Sequence, residues 1–168
     1  MYDAVKNHLD NIGWRYDVKR EGSLIKAGVQ GRSGSYQVIF DVKQDRDTFI
    51  VYVMSRLDFP ATNRDNIALY LTRCNYGLTI GNFELDMSDG EVRYKTSVTV
   101  KGGMLSEEMI KEMVQISIVM MDKFFEGIVK VAYVGLDPKV AYEESRSASR
   151  SSRNDSTSVD RNSISPAQ

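Results

Sequence analysis

The feature that most constrains the fold is the stretch from Leu57 to Tyr94, which joins a proline break, a short helical pattern and a strand that turns back on itself. Pro60 ends the preceding strand, because proline lacks a backbone N–H and disfavours helical geometry in the residue before it. Thr62 or Asn63 can then cap a helix, since either side-chain oxygen can accept a backbone N–H. The next apolar residues recur at the spacing of one helix face, namely Ile67, Leu71 and Cys74.

A β-hairpin pattern follows this helix. Residues 82–87 alternate strictly between apolar and polar side chains, with Phe83, Leu85 and Met87 on one face. Residues 88–91, Ser-Asp-Gly-Glu, are typical of a turn. The return strand alternates again, and its first face carries Val92, Tyr94, Thr96, Val98 and Val100. This pattern predicts a half-buried antiparallel hairpin.

The rest of the chain supplies the remaining elements. Helical patterns span residues 2–12, a long segment that Ser106 caps, and a short segment that Asp137-Pro138 begins and that ends near Glu144. Residues 14–18 form a connecting or edge strand, and three further strands follow at 23–30, 36–43 and 49–54, of which the first two alternate between apolar and polar faces. With the connecting or edge strand and the short last helix left out, the order of elements is α-β-β-β-α-β-β-α, which predicts an α+β fold with an antiparallel sheet flanked by helices.

Two of these elements carry sharper expectations. Residues 49–54 are apolar on both faces, so we expect this strand at the centre of the sheet, covered on both sides. The long helix carries a wide stripe rich in Met and Phe, which indicates core packing. The alternative is a surface that holds a partner segment, because methionine adapts to varied shapes. The stripe comprises Ile110, Met113, Val114, Ser117, Met120, Met121, Phe124 and Ile128.

The composition changes at Ser145, which divides the chain into two parts. Residues 1–144 have the patterning of one α+β domain. Residues 145–168 are rich in Ser and Arg and almost without large apolar side chains. Such a segment cannot bury enough surface to offset the entropy of ordering, so we predict a disordered tail.

Composition also narrows the function classes. The net charge of −1 provides no overall basic field, so direct nucleic-acid binding is not expected. No window approaches the roughly 18 apolar residues of a membrane span, and we expect no signal peptide. Cys74 is the single cysteine, which excludes a disulfide within the chain and suits a reducing cytoplasm.

Residues with catalytic or metal-binding chemistry are scarce. His8 is the single histidine, beside polar Asn7, and we expect it at the surface. Cys74 has no histidine near it in sequence and is expected to be a small buried hydrophobe. We therefore predict no metal site, no cofactor and no catalytic residues, and the protein is not expected to be an enzyme.

The order of elements resembles that of the YbjN-like family, which shares its fold with the homodimeric type III secretion chaperones. The resemblance covers about residues 1–144. It rests on Pro60, the helix of residues 64–75, GNFELD at 81–86, DGEVRY at 89–94, and LSEEMI at 105–110 leading into MMDKFF at 120–125. Within the family the sequence is most similar to a cyanobacterial branch of cyclic di-GMP receptors. The resemblance implies a homodimer that binds cyclic di-GMP at its subunit interface and modulates the interaction with a transcription factor.

A ligand with two phosphates and two guanines needs donors that match both groups, and arginine does so in bidentate fashion. In the central stretch the candidate ligand-binding residues are Arg64, Arg73, Asn75 and Arg93. Arg64 and Arg73 lie nearly opposite each other around one helix, so they can converge only if two protomers contribute.

Each candidate has an ordinary structural alternative. Arg93 and Lys95 share a strand face with Glu84 and Asp86 across the hairpin, where ordinary cross-strand pairing would explain both basic residues. Arg15, Arg20 and Arg32 flank the first strands and are weaker alternatives as ligand-binding residues. The alternative function is a chaperone-like module that binds a protein segment and needs no small molecule.

Overall fold

The computed structural model describes residues 1–102 and 104–155, the side chains of 148–155 excepted. It contains four α-helices and six β-strands within these residues, and α3 continues into a π-helical segment at Lys130–Val134. The helices are α1 (Tyr2–Asn11), α2 (Arg64–Asn75), α3 (Glu107–Val129) and α4 (Pro138–Asp155). The strands are β1 (Tyr16–Arg20), β2 (Leu24–Gln30), β3 (Ser35–Lys43), β4 (Thr48–Ser55), β5 (Asn82–Leu85) and β6 (Val92–Thr99).

The six strands form one antiparallel sheet in the order β1-β2-β3-β4-β6-β5. This confirms the predicted α+β class, and β1 is the edge strand that the sequence allowed at this position. The hairpin of β5 and β6 also forms, with Glu84 opposite Arg93. β5 ends at Leu85, earlier than the alternation predicted, and Met87 is half exposed in the turn.

The helices pack on one face of the sheet, α3 against β4 and β6 and α2 against β5. The core between these layers includes Phe49, Val51 and Val53 of β4. The side chains of α3 that form the predicted stripe are buried except Met120, so core packing is confirmed as the main role of the stripe.

The second face of the sheet contradicts one prediction. β4 is central, but only alternate residues are buried; Ile50, Tyr52 and Met54 are half-buried. The prediction that β4 is covered on both sides is therefore wrong, because the helices of the described residues pack on the first face. We call the second face the open face; it carries Lys26, Gln37, Ile39, Ile50, Tyr52, Met54, Glu84, Arg93 and Lys95.

Helix starts follow the sequence in two of three cases. The Ser106 hydroxyl accepts the Met109 N–H at 3.2 Å, and the Asp137 carboxylate accepts the backbone N–H groups of Lys139 and Val140. Asn63 occupies the N-cap position of α2 but makes no cap bond with its side chain. Its amide instead donates to the carbonyl of Ala132 at 2.6 Å, which joins α2 to the end of α3.

The last helix extends beyond the predicted end near Glu144 and runs to Asp155. Ser145 lies within this helix, where its hydroxyl contacts the Tyr70 hydroxyl at 2.9 Å and donates to the carbonyl of Ala141. The first residue of the predicted tail is thus part of the packed structure. The remainder of the predicted tail, residues 156–168, lies outside the described residues.

Candidate functional site

Arg64 begins α2 and points its guanidinium at the turn between β5 and β6. Nε donates to the carbonyl of Phe59 at 3.1 Å, and the two Nη atoms donate to three carbonyls of the turn at 2.7–3.0 Å. Those three carbonyls belong to Met87, Ser88 and Asp89. Four of the five N–H donors of the guanidinium are therefore engaged within the fold, and Arg64 holds the hairpin turn against the chain entering α2.

Asn75 has a similar structural task at the other end of α2. Its side-chain amide donates to the carbonyl of Phe83 at 3.0 Å, and its Oδ1 accepts the backbone N–H of Phe83 at 2.7 Å. The amide thus pairs with β5 much as a neighbouring strand would. Arg73 lies two residues before Asn75, on the exposed side of α2, and makes no ion pair within the described residues.

Arg93 lies on the open face, in the ion pairs that cross-strand pairing would give. Nε is 2.7 Å from Glu84, which also accepts from Lys95 at 3.0 Å, and the guanidinium stacks 4.6 Å from the ring centroid of Tyr52. Burial pushes the pKa of Glu84 upward, but hydrogen bonds from Arg93 and Lys95 outweigh this, so the pKa is lowered. Burial lowers the pKa of the Arg93 guanidinium, but the hydrogen bond to Glu84 and the charge of Glu84 outweigh this, so its pKa is raised.

The four predicted residues do not converge within one protomer. Arg64 and Arg93 flank the hairpin turn. The pKa of Asp86 in this turn is lowered mainly by hydrogen bonds from Ser88, and the charges of Arg93 and Arg64 lower it further. Asn75 lies about 16 Å from Arg64 along the axis of α2. The helix therefore separates the two halves of the predicted set.

A different cluster of basic side chains forms a groove at the β1 end of the open face. This cationic groove of about 570 Å³ is lined by four basic residues and one acidic residue, Asp17, together with Gln37 and Gly28. The basic residues are Arg15, Lys19, Lys26 and Arg56. Positive charge is therefore in excess there, although the chain as a whole carries a net charge of −1.

The pairing of the strands explains why these residues meet. Asp17 of β1 lies opposite Lys26 of β2, and Gly28 of β2 lies opposite Gln37 of β3, so their positions share the open face. Arg15 precedes β1 and Arg56 follows β4 at the same end of the sheet. Gly28 has no side chain, which leaves the floor of the groove open.

The two arginines of the cationic groove differ from Arg64 in having free donors. Arg15 and Arg56 are exposed, and neither makes a hydrogen bond or an ion pair within the described residues. Lys26 is close to the Gln37 amide oxygen at 3.5 Å, and Lys19 pairs with Asp17 at 3.2 Å. A phosphate could therefore take the free guanidinium donors without breaking an internal contact.

An apolar band adjoins the cationic groove on the open face. Lys26 lies opposite Ile39, which lies opposite Tyr52, which lies opposite Lys95. Neighbouring strands are about 4.8 Å apart, so the band extends about 14 Å from Lys26 to Lys95. An aromatic ring beside an aliphatic side chain, as Tyr52 and Ile39 provide here, can stack against a base or pack against another protein.

The weaker sequence candidates lie apart from one another. Arg15 belongs to the cationic groove, whereas Arg20 lines a separate depression with Lys43 and Asp45. Arg32 lies in the β2–β3 turn, with Nε 3.8 Å from Asp122. Sequence reasoning missed Lys26, Gln37 and Arg56. Alternation could have assigned the first two to one face, but the neighbourhood of Arg56 depends on strand order.

A second concavity lies at the opposite edge of the sheet, between β6 and α3. This edge cleft of about 470 Å³ has a mixed lining of six polar residues, among them Lys95 and Glu112, five apolar residues and Gly81. Its apolar lining comprises Ile80, Val98, Met109, Met113 and Ile116. The face of α3 that does not enter the core is thus partly accessible here.

The single cysteine and the single histidine are the side chains most often used in catalysis or metal binding, and both are buried. Cys74 is buried as predicted, and burial raises the pKa of its thiol to about 12, which disfavours a reactive thiolate. The prediction of a surface position for His8 is wrong: only 4% of the residue is exposed, and Nδ1 lies 3.4 Å from Glu107 of α3. The described residues contain no group of three or more His, Cys, Asp or Glu that could hold a metal ion.

None of their helices is both long and apolar enough to cross a membrane.

Comparisons with known proteins agree with this architecture. The model of the YbjN family, described as "putative bacterial sensory transduction regulator", matches residues 2–130. The crystal structure of YbjN from E. coli, described as "a putative transcription regulator", superposes with a TM-score of 0.56 at 16% sequence identity. The match covers 73% of this chain and 86% of that one, and at this identity it shows the fold alone. No curated protein sequence matches the chain.

Proposed function

The chain belongs to the YbjN family of sensory transduction regulators, and from this premise we propose that it is a homodimeric receptor for cyclic di-GMP. In this proposal the bound dinucleotide changes the affinity of the dimer for a transcription factor. The protein itself makes no direct contact with nucleic acid and performs no catalysis. The observation that carries the proposal is the cationic groove on the open face.

The charge of the groove supports an anionic ligand. Arg15 and Arg56 offer unengaged guanidinium groups, and Lys26 adds a third positive charge beside them. A cyclic dinucleotide carries two phosphates, and arginine binds a phosphate with two parallel hydrogen bonds. The two arginines therefore have the donors that one phosphate needs, and Lys26 adds a further positive charge to the groove.

The surroundings of the groove support a nucleotide over a simple anion. The Gln37 amide can donate to and accept from the edge of a base. Ile39 and Tyr52 continue from Lys26 across the sheet and offer a surface for stacking. Arg93 lies beyond Tyr52 and remains a candidate for the second half of the ligand, provided that it exchanges its contact with Glu84.

A homodimer would use the same face. Ile39, Ile50, Tyr52 and Met54 form an apolar centre that no helix of the described residues covers. Two such faces related by a two-fold axis would bring two cationic grooves toward one ligand that itself has two-fold symmetry. Under this proposal ligand and transcription factor are linked reciprocally, so each changes the affinity of the other by the same factor.

Isothermal titration with cyclic di-GMP tests the proposal, with cyclic di-AMP and GMP as controls. Selective binding at micromolar affinity or tighter, about −8 kcal/mol, is expected. The R15A/R56A variant should lose this binding, whereas R20A should keep it, because Arg20 is also exposed but lies outside the groove. If no nucleotide binds, the receptor function is refuted. If R15A/R56A binds normally and R73A or R93A does not, the site is the one predicted from sequence.

The edge cleft favours a second candidate function, a chaperone-like protein-binding module without a small-molecule ligand. Met109, Met113 and Ile116 present an adaptable apolar wall beside the edge of a strand. Loss of all nucleotide binding together with capture of a defined client segment at this cleft would favour it.

A further inference from the structure

A group of apolar side chains lies exposed where the end of α3 meets the loop after β4 and the turn after β5. Leu57, Met87, Tyr133 and Val134 are 43–77% exposed, and the last two belong to the π-helical end of α3. Single apolar residues on a surface are ordinary, but a group of them in one place marks an interaction site. π-helical turns are rare and are frequent at functional sites.

Direct contacts join the three segments that carry these side chains. The Tyr133 hydroxyl donates to the carbonyl of Asp58 at 3.3 Å, and the centroid of its ring lies 5.9 Å from that of Phe59. The Phe59 N–H donates to the carbonyl of Gly90 at 3.2 Å, and a Cβ at Gly90 would collide with the Phe59 carbonyl. We call the combined area the turn surface. It comprises Leu57, Asp58, Met87, Asp89, Tyr133 and Val134.

The turn surface has an acidic rim. Burial raises the pKa of Glu91, and the charges of Asp89, Asp86 and Asp58 raise it further, although the charge of Arg93 lowers it. The four carboxylates are therefore close enough to repel one another. Asp58 is exposed, and its carboxylate makes no hydrogen bond or ion pair within the described residues. A positive charge from another molecule would relieve this repulsion.

The neighbouring arginines are engaged elsewhere. Arg64 gives its donors to backbone carbonyls, so its single charge is not paired with any one carboxylate of the rim. Arg93 lies 2.7 Å from Glu84 and 3.5 Å from Glu91, so its charge is shared between them. Arg56, two residues before Asp58, lines the cationic groove. Negative charge is therefore in excess at the turn surface.

We propose that the turn surface binds a basic segment of a partner protein, in which an apolar side chain is flanked by Lys or Arg. The apolar side chain packs against Tyr133 and Val134, and the basic side chains pair with Asp58 and Asp89. Because few apolar side chains contribute, much of the recognition is electrostatic, and it weakens with salt. The turn surface and the cationic groove have opposite charge, so one chain can hold a basic partner and an anionic ligand at separate places.

Fluorescence anisotropy with the labelled peptide Leu-Arg-Arg-Leu-Leu-Arg-Arg-Leu tests the proposal on the full chain. In two control peptides Glu replaces Arg, or Ser replaces Leu. The wild type should bind the first peptide and not the acidic one, and the serine peptide should bind about tenfold more weakly. An increase in salt from about 0.05 M to about 0.3 M should weaken binding several-fold.

Two pairs of variants locate the bound peptide. D58N/D89N keeps the side-chain shapes and should weaken binding about fivefold, because two exposed ion pairs are lost. D3N/D45N removes the same charge from exposed aspartates elsewhere and should bind like the wild type.

The second pair of variants tests the apolar contact. V134S should also weaken binding about fivefold, because it removes the most exposed of the four apolar side chains. V119S removes another exposed valine, from the body of α3, and should bind like the wild type.

Three results would overturn the proposal. The first is no binding of the basic peptide, and the second is equal binding by the wild type and D58N/D89N. The third is unchanged peptide binding by V134S together with loss of self-association in sedimentation, which would assign the turn surface to a second copy of the chain. No nucleotide is present in these assays, so their outcome is separate from that of the proposed receptor function.

Discussion

Replacing Arg64 by alanine should destabilise the protein by about 2 kcal/mol. The guanidinium donates to four carbonyls, and the bond to Phe59 is partly buried while the three to the turn are exposed. A hydrogen bond from a charged donor contributes about 1.5 kcal/mol where it is shielded from water. Water replaces most of the three exposed bonds, so together they add only about 0.5 kcal/mol.

Urea denaturation measures this loss directly, and a thermal melt should show a decrease of about 4–8 °C for a chain of this size. The matched control is R73A, because Arg73 lies on the same helix, is exposed and has no ion pair within the described residues. This variant should stay within about 0.5 kcal/mol of the wild type. R64K should be intermediate, since one ammonium group cannot reach all four carbonyls.

Equal stability of R64A and R73A would refute the structural role assigned to Arg64. If R64A were then as stable as the wild type but unable to bind cyclic di-GMP, Arg64 would be a ligand-binding residue, as the sequence suggested. If R64A lost both stability and binding, the loss of binding would be explained by a displaced hairpin turn, because Arg64 positions the hairpin that carries Arg93.

Three further predictions follow from burial and charge. A Cβ at Gly127 would lie 2.1 Å from the Tyr70 hydroxyl oxygen, so G127A should lose about 1–3 kcal/mol in urea denaturation; unchanged stability would contradict this packing. The folded pKa of Glu84 is lowered from 4.5, so the carboxylate stabilises the fold only while it is ionised. The stability advantage of the wild type over E84Q, measured by thermal melts at a series of pH values, should be complete above pH 4.5 and should be lost as the pH falls through the lower, folded pKa. Cys74, whose pKa burial raises to about 12, should resist alkylation at pH 8 until urea unfolds the protein; rapid native labelling would show that the site opens.

Local patterns in the sequence predicted most of the elements. The alternation of residues 82–101 gave a hairpin, and Ser106 and Asp137 gave two helix starts, because capping and alternation depend only on neighbours along the chain. The end of α4 was misplaced for the opposite reason. The Ser145 hydroxyl contacts Tyr70, a residue far away in sequence, and composition alone could not reveal that contact.

The candidate site was less predictable, since arginines were selected by residue type. The fold engages the side chains of both Arg64 and Asn75, Arg64 on four carbonyls and Asn75 on Phe83. A sequence does not distinguish an engaged guanidinium from a free one. The distinction depends on which carbonyls come within about 3 Å after folding.

The sequence by itself determined the periodicity of the helices and strands, the apolar stripe of α3 and membership in the YbjN family over residues 2–130. Only the tertiary structure decided that β6 lies between β4 and β5, that one sheet face stays open, and that Arg15, Lys26 and Arg56 meet there. Periodicity is a property of residues a few positions apart. Strand order and face coverage depend on long-range pairing and on which surface the helices bury, and no short pattern specifies either.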